Sequence, residues 1–373
     1  MQSATPSPSP LPSFKLNALS LAGLLAVAAC GEDPPPASEP DAGSATDAGM
    51  DAGHAMDAGA GDPVYLVAQR VRTPDSRSVL LSLLPDLEER DIDNGTAFEV
   101  SGFARVTTFG GKVFVFDSES AAITRYGVSA EGDLVEEPPS VSFAGLGITR
   151  FLPTFVFASP TRAYYLDAVG AQMVVWDPEE MALVEDFPVP EVEREGFDAG
   201  ASLVLVGDEI VAPISWTNLL TRRGVATVAA LVFSAEDGRL LRVDESDACA
   251  FAGGAVDGRD GAYHLVGTSA GGILDLFGED PLPPPCAVRG QQGTGLDDAP
   301  AVDLRVLTGA PFVDAIEGAG PARLVMQVWD ADVDPESLTD PFTFGELELW
   351  RFAMVDLVAE TTEVVATLPL DRR

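Results

Sequence analysis

Apart from carboxylates, the side chains that could carry chemistry in this chain are few. Histidine occurs at His54 and His264, and cysteine at Cys30, Cys249 and Cys286. A serine hydrolase needs a base beside its nucleophile, usually a histidine, and His264 sits among apolar neighbours in AYHLVG, which favours a structural role. A single histidine in this part of the chain also argues against zinc or copper. We therefore expect no catalytic residue, no metal site and no cofactor.

The carboxylates are too numerous to single out. The chain holds 59 Asp and Glu against 22 Lys and Arg, a formal net charge of -37. Such a field repels phosphate groups, so nucleic acid is excluded as a partner. Glycosidases work with paired carboxylates, which leaves a sugar-binding or sugar-cleaving role open. Asp-Gly turns such as Asp257-Gly258 could hold Ca²⁺, but turns favour these residues for backbone reasons alone.

Arginines and tryptophans near strand ends are the remaining candidates for ligand binding. Arg222-Arg223 is the one basic doublet before the C-terminus. Together with Trp216 and Trp176 it forms our candidate ligand-binding set. The alternatives are a solvated loop for the arginines and core packing for the tryptophans.

An export signal occupies the start of the chain. Lys15 precedes the uncharged run LNALSLAGLLAVAA, which is too short for a membrane span of about 20 residues but typical of a signal peptide. The tetrapeptide that ends at Cys30, VAAC, resembles the lipobox of bacterial lipoproteins, and an ordinary cleavage site is the alternative. We expect residues 1–29 to be removed and Cys30 to be lipidated. Gly31 after the cysteine favours the outer membrane, on its periplasmic or cell-surface face, with the lipid anchor as the membrane contact.

Residues 30–62 are nearly all Gly, Ala, Pro, Asp, Ser and Glu. The tripeptide Asp-Ala-Gly recurs, starting at Asp41, Asp47, Asp51 and Asp57. Such a segment buries too little apolar surface to offset its ordering entropy. It predicts a disordered linker that lifts the following domain off the membrane.

Residues 63–373 form one predicted domain, all-β and built of repeats. Short β-rich runs recur about every fifty residues, with turn signals between them. They start at Val64, Lys112, Arg162, Glu209, Gly261 and Ala322. This pattern predicts a β-propeller of six blades, or seven if the stretch from Asp275 to Gly320 holds another, with a pair of β-sandwiches as the alternative.

The first and last repeats predict how the ring closes. No clear strand precedes the run at Val64, and no further repeat follows TTEVVATLPL, which starts at Thr361. The C-terminal run could therefore complete the first repeat and cover its open edge.

Cys249 and Cys286 are an even pair in a chain predicted to be exported. A disulfide is the default expectation for such a pair, with two separate buried thiols as the alternative.

The lipobox, the Asp-Ala-Gly spacer and stretches such as KVFVFDSESAAITRYGV and RAYYLDAVGAQMVVWDPEE resemble myxobacterial lipoproteins of the kind encoded with myxochelin-type siderophore genes. The resemblance implies a non-enzymatic accessory in iron-siderophore uptake, which captures the ferric siderophore or contacts an outer-membrane receptor. A ferric catecholate is anionic, so capture would need a locally basic, aromatic-lined funnel. A structural or signalling surface module is the third possibility.

Overall fold

The protein is described from a computed structural model. The structure describes residues 14–16, 24–25, 64–72, 77–86, 90–148, 150–152, 154–258, 260–267, 274, 282–297, 300–310, 313–318, 320–329 and 350–367. The fold class is an all-β, six-bladed β-propeller, as predicted, with six antiparallel sheets of four to six strands. The chain divides into two compact units, one ending at Ala144 and the other beginning at Gly145.

The first unit holds two blades. Blade 1 consists of Leu24–Leu25, Tyr65–Arg72, Arg77–Leu84 and Phe98–Ser101. Blade 2 consists of Arg105–Phe109, Lys112–Asp117, Ala122–Val128 and Leu134–Glu136, with Val141–Ser142 added beside the third strand. A separate two-stranded sheet pairs Phe14–Leu16 with Arg90–Ile92. Side chains of both blades, among them Leu81, Val113 and Val115, form one core cluster within this unit.

The second unit holds four blades. Blade 3 consists of Phe155–Ser159, Arg162–Asp167, Gln172–Asp177 and Ala182–Pro188. Blade 4 consists of Asp198–Ala201 with Val204–Val206, then Glu209–Asn218 with Arg223–Gly224, then Val228–Ser234 and Leu240–Ser246. Blade 5 consists of Ala252–Asp257, Ala262–Gly267, Cys286–Gln291, Gly295–Leu296 and Val302–Asp303. Blade 6 consists of Val313–Gly318, Arg323–Trp329, Trp350–Asp356 and Thr361–Thr367.

Helices are short in the described residues. Two 3-10 turns lie at Ala144–Leu146 and Pro190–Val192, and one α-helix spans Leu304–Thr308. The Asp303 carboxylate caps this helix by accepting from the backbone N–H of Arg305, at 2.9 Å. Within the described residues, no helix has the length and apolar character that crossing a membrane requires.

The six predicted repeats coincide with one strand position. In every blade, the run that the sequence marks as a repeat start is the second strand, from Tyr65–Arg72 in blade 1 to Arg323–Trp329 in blade 6. Within the second unit, neighbouring blades cover these strands. Tyr164 of blade 3 packs with blade 4, whereas Leu265 of blade 5 packs with blade 4 and Val266 with blade 6.

The stretch from Asp275 to Gly320 holds no seventh blade in its described part. Its strands Cys286–Gln291, Gly295–Leu296 and Val302–Asp303 complete blade 5, and Val313–Gly318 opens blade 6.

The predicted role of the C-terminal run is wrong. Thr361–Thr367 pairs with Trp350–Asp356 as the fourth strand of blade 6. It was expected beside Tyr65–Arg72, where Leu24–Leu25 is the neighbour instead. The run completes its own repeat because the blade's third strand is Trp350–Asp356, an element that the repeat pattern did not reveal.

Candidate functional site

The predicted arginine doublet lies on a loop whose base is held in place. Strand Glu209–Asn218 ends there, and Arg223 pairs back onto it opposite Asn218. The Asn218 side chain donates to the carbonyl of Gly196 at 2.9 Å and accepts from the backbone N–H of Thr221 at 2.9 Å. Residues 218–224 and the adjoining residues 194–197 therefore form one surface, which we call the loop cluster.

Three arginines lie on the loop cluster, two of them over aromatic rings. The Arg194 guanidinium lies 4.6 Å from the centre of the Trp216 ring, and that of Arg223 lies 5.9 Å from the centre of Phe197. Arg222 is exposed at the turn, with a φ of 52° and its N–H donated to the Leu219 carbonyl at 3.4 Å. Stacking on a ring reduces the freedom of a guanidinium and fixes where its charge is presented.

The loop cluster is not a basic funnel. Glu193, Glu195 and Asp198 are exposed in or beside the segment that carries Arg194. The arginines are therefore hydrogen-bond donors among acidic side chains. A small multivalent anion would be attracted by the arginines and repelled by the neighbouring carboxylates.

Trp176 and Trp216 are core residues, so the prediction that they contact a ligand is wrong. Trp176 is 0% exposed and packs edge-on against Phe157 at 5.6 Å. Trp216 is 4% exposed, and its Nε1 donates to the Val192 carbonyl at 2.8 Å. Sequence alone cannot tell a tryptophan packed inside a sheet from one near its edge, because both occur in apolar strands.

The tip of the loop is apolar and exposed. Leu220 is 89% exposed, whereas its neighbour Leu219 packs against the cluster of Ala250, Phe251 and Leu274. The loop is thus anchored by one leucine and presents the next one to solvent.

The predicted disulfide is confirmed and lies under this anchor. Cys249 and Cys286 are bonded, with their Cα atoms 5.6 Å apart, and both are buried. Cys249 precedes Phe251, which takes a φ of 65° and lays its ring against Gly224. The bond ties the start of the third strand of blade 5 to the segment that supports the loop cluster.

A separate cavity lies within the first unit. Its volume is about 480 Å³, and two carboxylates line it, Asp93 and Asp133, with Thr96, Ser82 and Phe98. Phe98 is 36% exposed and meets Tyr126 edge-on at 5.1 Å. One Asp93 oxygen accepts from the Gly95 N–H at 2.9 Å, so this carboxylate also shapes its own turn. The cavity combines an aromatic face, hydroxyls and acceptors, which suits a polyhydroxylated ligand.

His264 has no catalytic setting. It is 4% exposed in the strand Ala262–Gly267, and its Nδ1 has no hydrogen-bond partner among the described residues. Burial, and then the positive charge of Arg289, lower the pKa of His264 to about 4. The imidazole is therefore neutral at neutral pH and enclosed, which agrees with the structural role that the sequence favours.

One serine motif follows the same strand. Residues 267–271 read GTSAG and match the G-x-S-x-G pattern of serine hydrolases. Ser269 lies outside the described residues. Its motif needs a base within hydrogen-bond reach, and His264 is enclosed in the strand that leads to it. A motif match of this kind is common by chance in a chain with 36 glycines.

The remaining site predictions concern lipid and metal. Cys30 lies outside the described residues. Within the described ranges, no group of three or more His, Cys, Asp or Glu side chains could hold a metal ion.

Comparison with known proteins gives distant structural likenesses. No family model matches the chain, and no curated protein matches it either. The chain is similar to a solved protein from Lactobacillus plantarum, with TM-score 0.46, 10% identity and 83% of this chain on 82% of that one. It is also similar to the β-propeller domain of the Trilobed protease from Pyrococcus furiosus, with TM-score 0.44, 8% identity and 82% of each chain covered. A third similar structure is a protein from Bacteroides uniformis that is provisionally described as a 6-phosphogluconolactonase. Its TM-score is 0.40 at 15% identity, and the match covers 66% of this chain and 70% of that chain.

Proposed function

We propose that this protein is an exported, lipid-anchored and non-enzymatic propeller that binds another protein through the loop cluster. The observation that carries the proposal is Leu220, 89% exposed at the tip of a loop that is anchored by Leu219 and flanked by Arg222 and Arg223. Arginine is enriched at protein interfaces, and a loop that is already held in place loses little conformational freedom when it binds.

The partner that fits this surface presents a small apolar pocket bordered by hydrogen-bond acceptors. The pocket would receive Leu220, and the acceptors would meet Arg222 and Arg223. An outer-membrane receptor of an iron-siderophore uptake system is the partner that the resemblance to siderophore-linked lipoproteins suggests. Direct capture of a ferric catecholate is less favoured, because the aromatic rings at the loop cluster lie beneath arginines and acidic side chains flank them.

Site-specific photo-crosslinking tests the proposal. A photoreactive residue at position 220, in cells grown without iron, should give one discrete adduct with a membrane protein. The matched control is position 169, because Val169 is 78% exposed on the equivalent hairpin of blade 3. Adducts of equal yield from both positions, or none from position 220, would refute binding by the loop cluster.

Titration of the purified mature chain with a ferric catecholate tests the competing function. Saturable quenching of tryptophan fluorescence with a raised Tm would establish direct capture. No change in either signal agrees with protein binding.

A non-enzymatic protein should also be inert to a serine-reactive fluorophosphonate probe. We expect no labelling of the wild-type chain, because His264, the histidine nearest to Ser269 in sequence, is enclosed in its strand. Labelling that Ser269→Ala abolishes would make the protein a hydrolase.

The cavity of the first unit supports a second candidate, binding of a neutral saccharide. Asp93 and Asp133 would accept hydroxyl hydrogens while a sugar ring stacks on Phe98. Screening the purified chain on a glycan array tests it, with Asp133→Asn and Phe98→Ala as variants that should lose the signal. A signal that persists in both variants would exclude this cavity.

A further inference from the structure

The loop cluster rests on one aromatic ring, that of Phe251. This side chain is fully buried, and Leu219 of the loop packs against the core cluster that contains it. At the other end of the loop, the ring lies against Gly224, and a Cβ at that position would overlap with it. Both ends of the loop therefore depend on where Phe251 lies.

Phe251 belongs to a crossover between two blades and not to a sheet. Residues 247–251 connect the last strand of blade 4, which ends at Ser246, to the first strand of blade 5, which begins at Ala252. Phe251 takes a φ of 65°, a left-handed conformation that is unfavourable for a residue other than glycine. Such a conformation persists only where the surrounding contacts hold it.

A backbone bridge and a covalent bond join this crossover to the start of the third strand of blade 5. Ala250 forms an isolated β-bridge with Pro285. The residue before it, Cys249, is bonded to Cys286, and both cysteines are buried. The disulfide thus fixes the crossover, two residues before Phe251, to the sheet of blade 5.

The strands next to the crossover are held by their own pairing. In the third strand of blade 5, Ala287 pairs with Val266 on one side and with Val302 on the other. The first strand pairs with the second from Ala252 onward. Loss of the disulfide should therefore release the crossover and its aromatic ring, whereas the sheet of blade 5 should keep its pairing.

We infer that oxidation of Cys249 and Cys286 makes the loop cluster competent to bind, an inference that rests on the proposed function. The two thiols exchange with the disulfide of an oxidant. The chain gains one S–S bond, and the two protons and two electrons pass to the sulfur atoms of the oxidant, which leaves as a dithiol. A disulfide oxidoreductase of the export compartment is the class of oxidant required. The exported, oxidised chain then binds the partner, and a reduced precursor does not.

Hydrogen exchange tests the positioning of the loop without any partner. The double variant Cys249→Ala with Cys286→Ala is compared with Leu324→Ala, because Leu324 is buried in blade 6 and its truncation also lowers stability. The amides of residues 219–225 should exchange at least about tenfold faster in the cysteine variant than in the leucine variant. Equal rates in the two variants would overturn the inference. If the alanine pair does not fold, Cys249→Val with Cys286→Ala provides the same comparison, since valine refills part of the volume of the lost sulfur atoms.

Photo-crosslinking from position 220 tests binding itself. The adduct should fall at least about tenfold in the cysteine variant and persist in Leu324→Ala, because destabilisation alone leaves the loop in place. A full adduct from the cysteine variant would overturn the inference and leave the proposed function standing. Absence of an adduct from the wild-type chain would refute the proposed function instead, and hydrogen exchange would still show whether the disulfide positions the loop.

Discussion

Arg242 holds both carboxylate oxygens of Glu209. Its Nη1 donates to Oε1 at 2.6 Å and its Nη2 to Oε2 at 2.9 Å, while its Nε donates to Asp244 at 2.9 Å. The Glu209 side chain is 8% exposed and that of Arg242 is 22% exposed. Glu209 begins the strand that ends at Asn218, so this pair lies at the opposite end of blade 4 from the loop cluster.

The pair also connects blade 4 to blade 5. Glu209 Oε2 accepts from the N–H of Gly293, at 3.2 Å, in the turn after strand Cys286–Gln291. One residue earlier, Gln292 donates to Asp208. The bidentate contact with Glu209 raises the pKa of Arg242 above its ordinary value, so the charge is fixed. These hydrogen bonds hold blades 4 and 5 together, and both blades support the loop cluster.

Replacing Arg242 with leucine should therefore destabilise the fold by about 3 kcal/mol, because the Glu209 carboxylate stays buried without its counter-charge. Urea unfolding of the mature chain measures this change. The double variant Arg242→Leu with Glu209→Leu should recover the part of the loss that comes from the buried Glu209 carboxylate, whereas the more exposed Asp244 still lacks its partner. Losses that simply add would show that the two side chains do not interact.

Gly224→Ala should disturb the loop cluster directly. A Cβ at this position would overlap with the ring of Phe251, and that ring cannot withdraw easily because it is buried among Ala250, Leu274 and Leu219. We expect a loss of about 1–3 kcal/mol and a weaker crosslink from position 220.

Gly145→Ala is the matched control for Gly224→Ala. A Cβ at Gly145 meets nothing within 4 Å, so neither stability nor crosslinking should change. If Gly224→Ala left the crosslink at full strength, the anchoring of the loop by Phe251 would not matter for binding.

Reduction of the disulfide should lower stability by about 3 to 4 kcal/mol in the chain-entropy model, because the bond closes a loop between residues 37 apart in sequence. Thermal unfolding with and without reductant measures the change. The double variant Cys249→Ala with Cys286→Ala should already be destabilised and should not respond to reductant. An equal Tm for the reduced and oxidised wild-type chain would contradict this role.

The sequence reveals the second strands and hides the first ones, for a physical reason. Second strands such as Arg162–Asp167 are covered on both faces, so they form uninterrupted apolar runs that a repeat search detects. The first strand Asp198–Ala201 reads DAGA, with small residues only, and resembles a linker. The blade count was therefore predictable, whereas the way in which blade 1 is completed was not.

The candidate site was predictable only in part. The arginine doublet was conspicuous because basic residues are scarce in this chain. Arg194 and Phe197 carry no such signal, since each contacts a segment more than twenty residues away in sequence. Leu220 carries none either, because nothing in the sequence distinguishes it from Leu219, which packs inward. The Arg242–Glu209 pair was hidden for the same reason, being 33 residues apart in sequence.

The stability of the protein should fall as the pH decreases from about 6.5 towards 4, partly through His264. Burial lowers the pKa of His264 to about 4 in the folded chain, against about 6.5 in the unfolded chain. Between these values the unfolded chain binds a proton that the folded chain does not, so protonation favours unfolding. At pH 5.0 the loss relative to pH 7.5 should be about 2 kcal/mol. His264→Leu removes this contribution. Urea unfolding at both pH values should therefore show a smaller pH dependence in the variant by that amount. If the wild-type chain and the variant lost the same stability, His264 would not be buried in its neutral form.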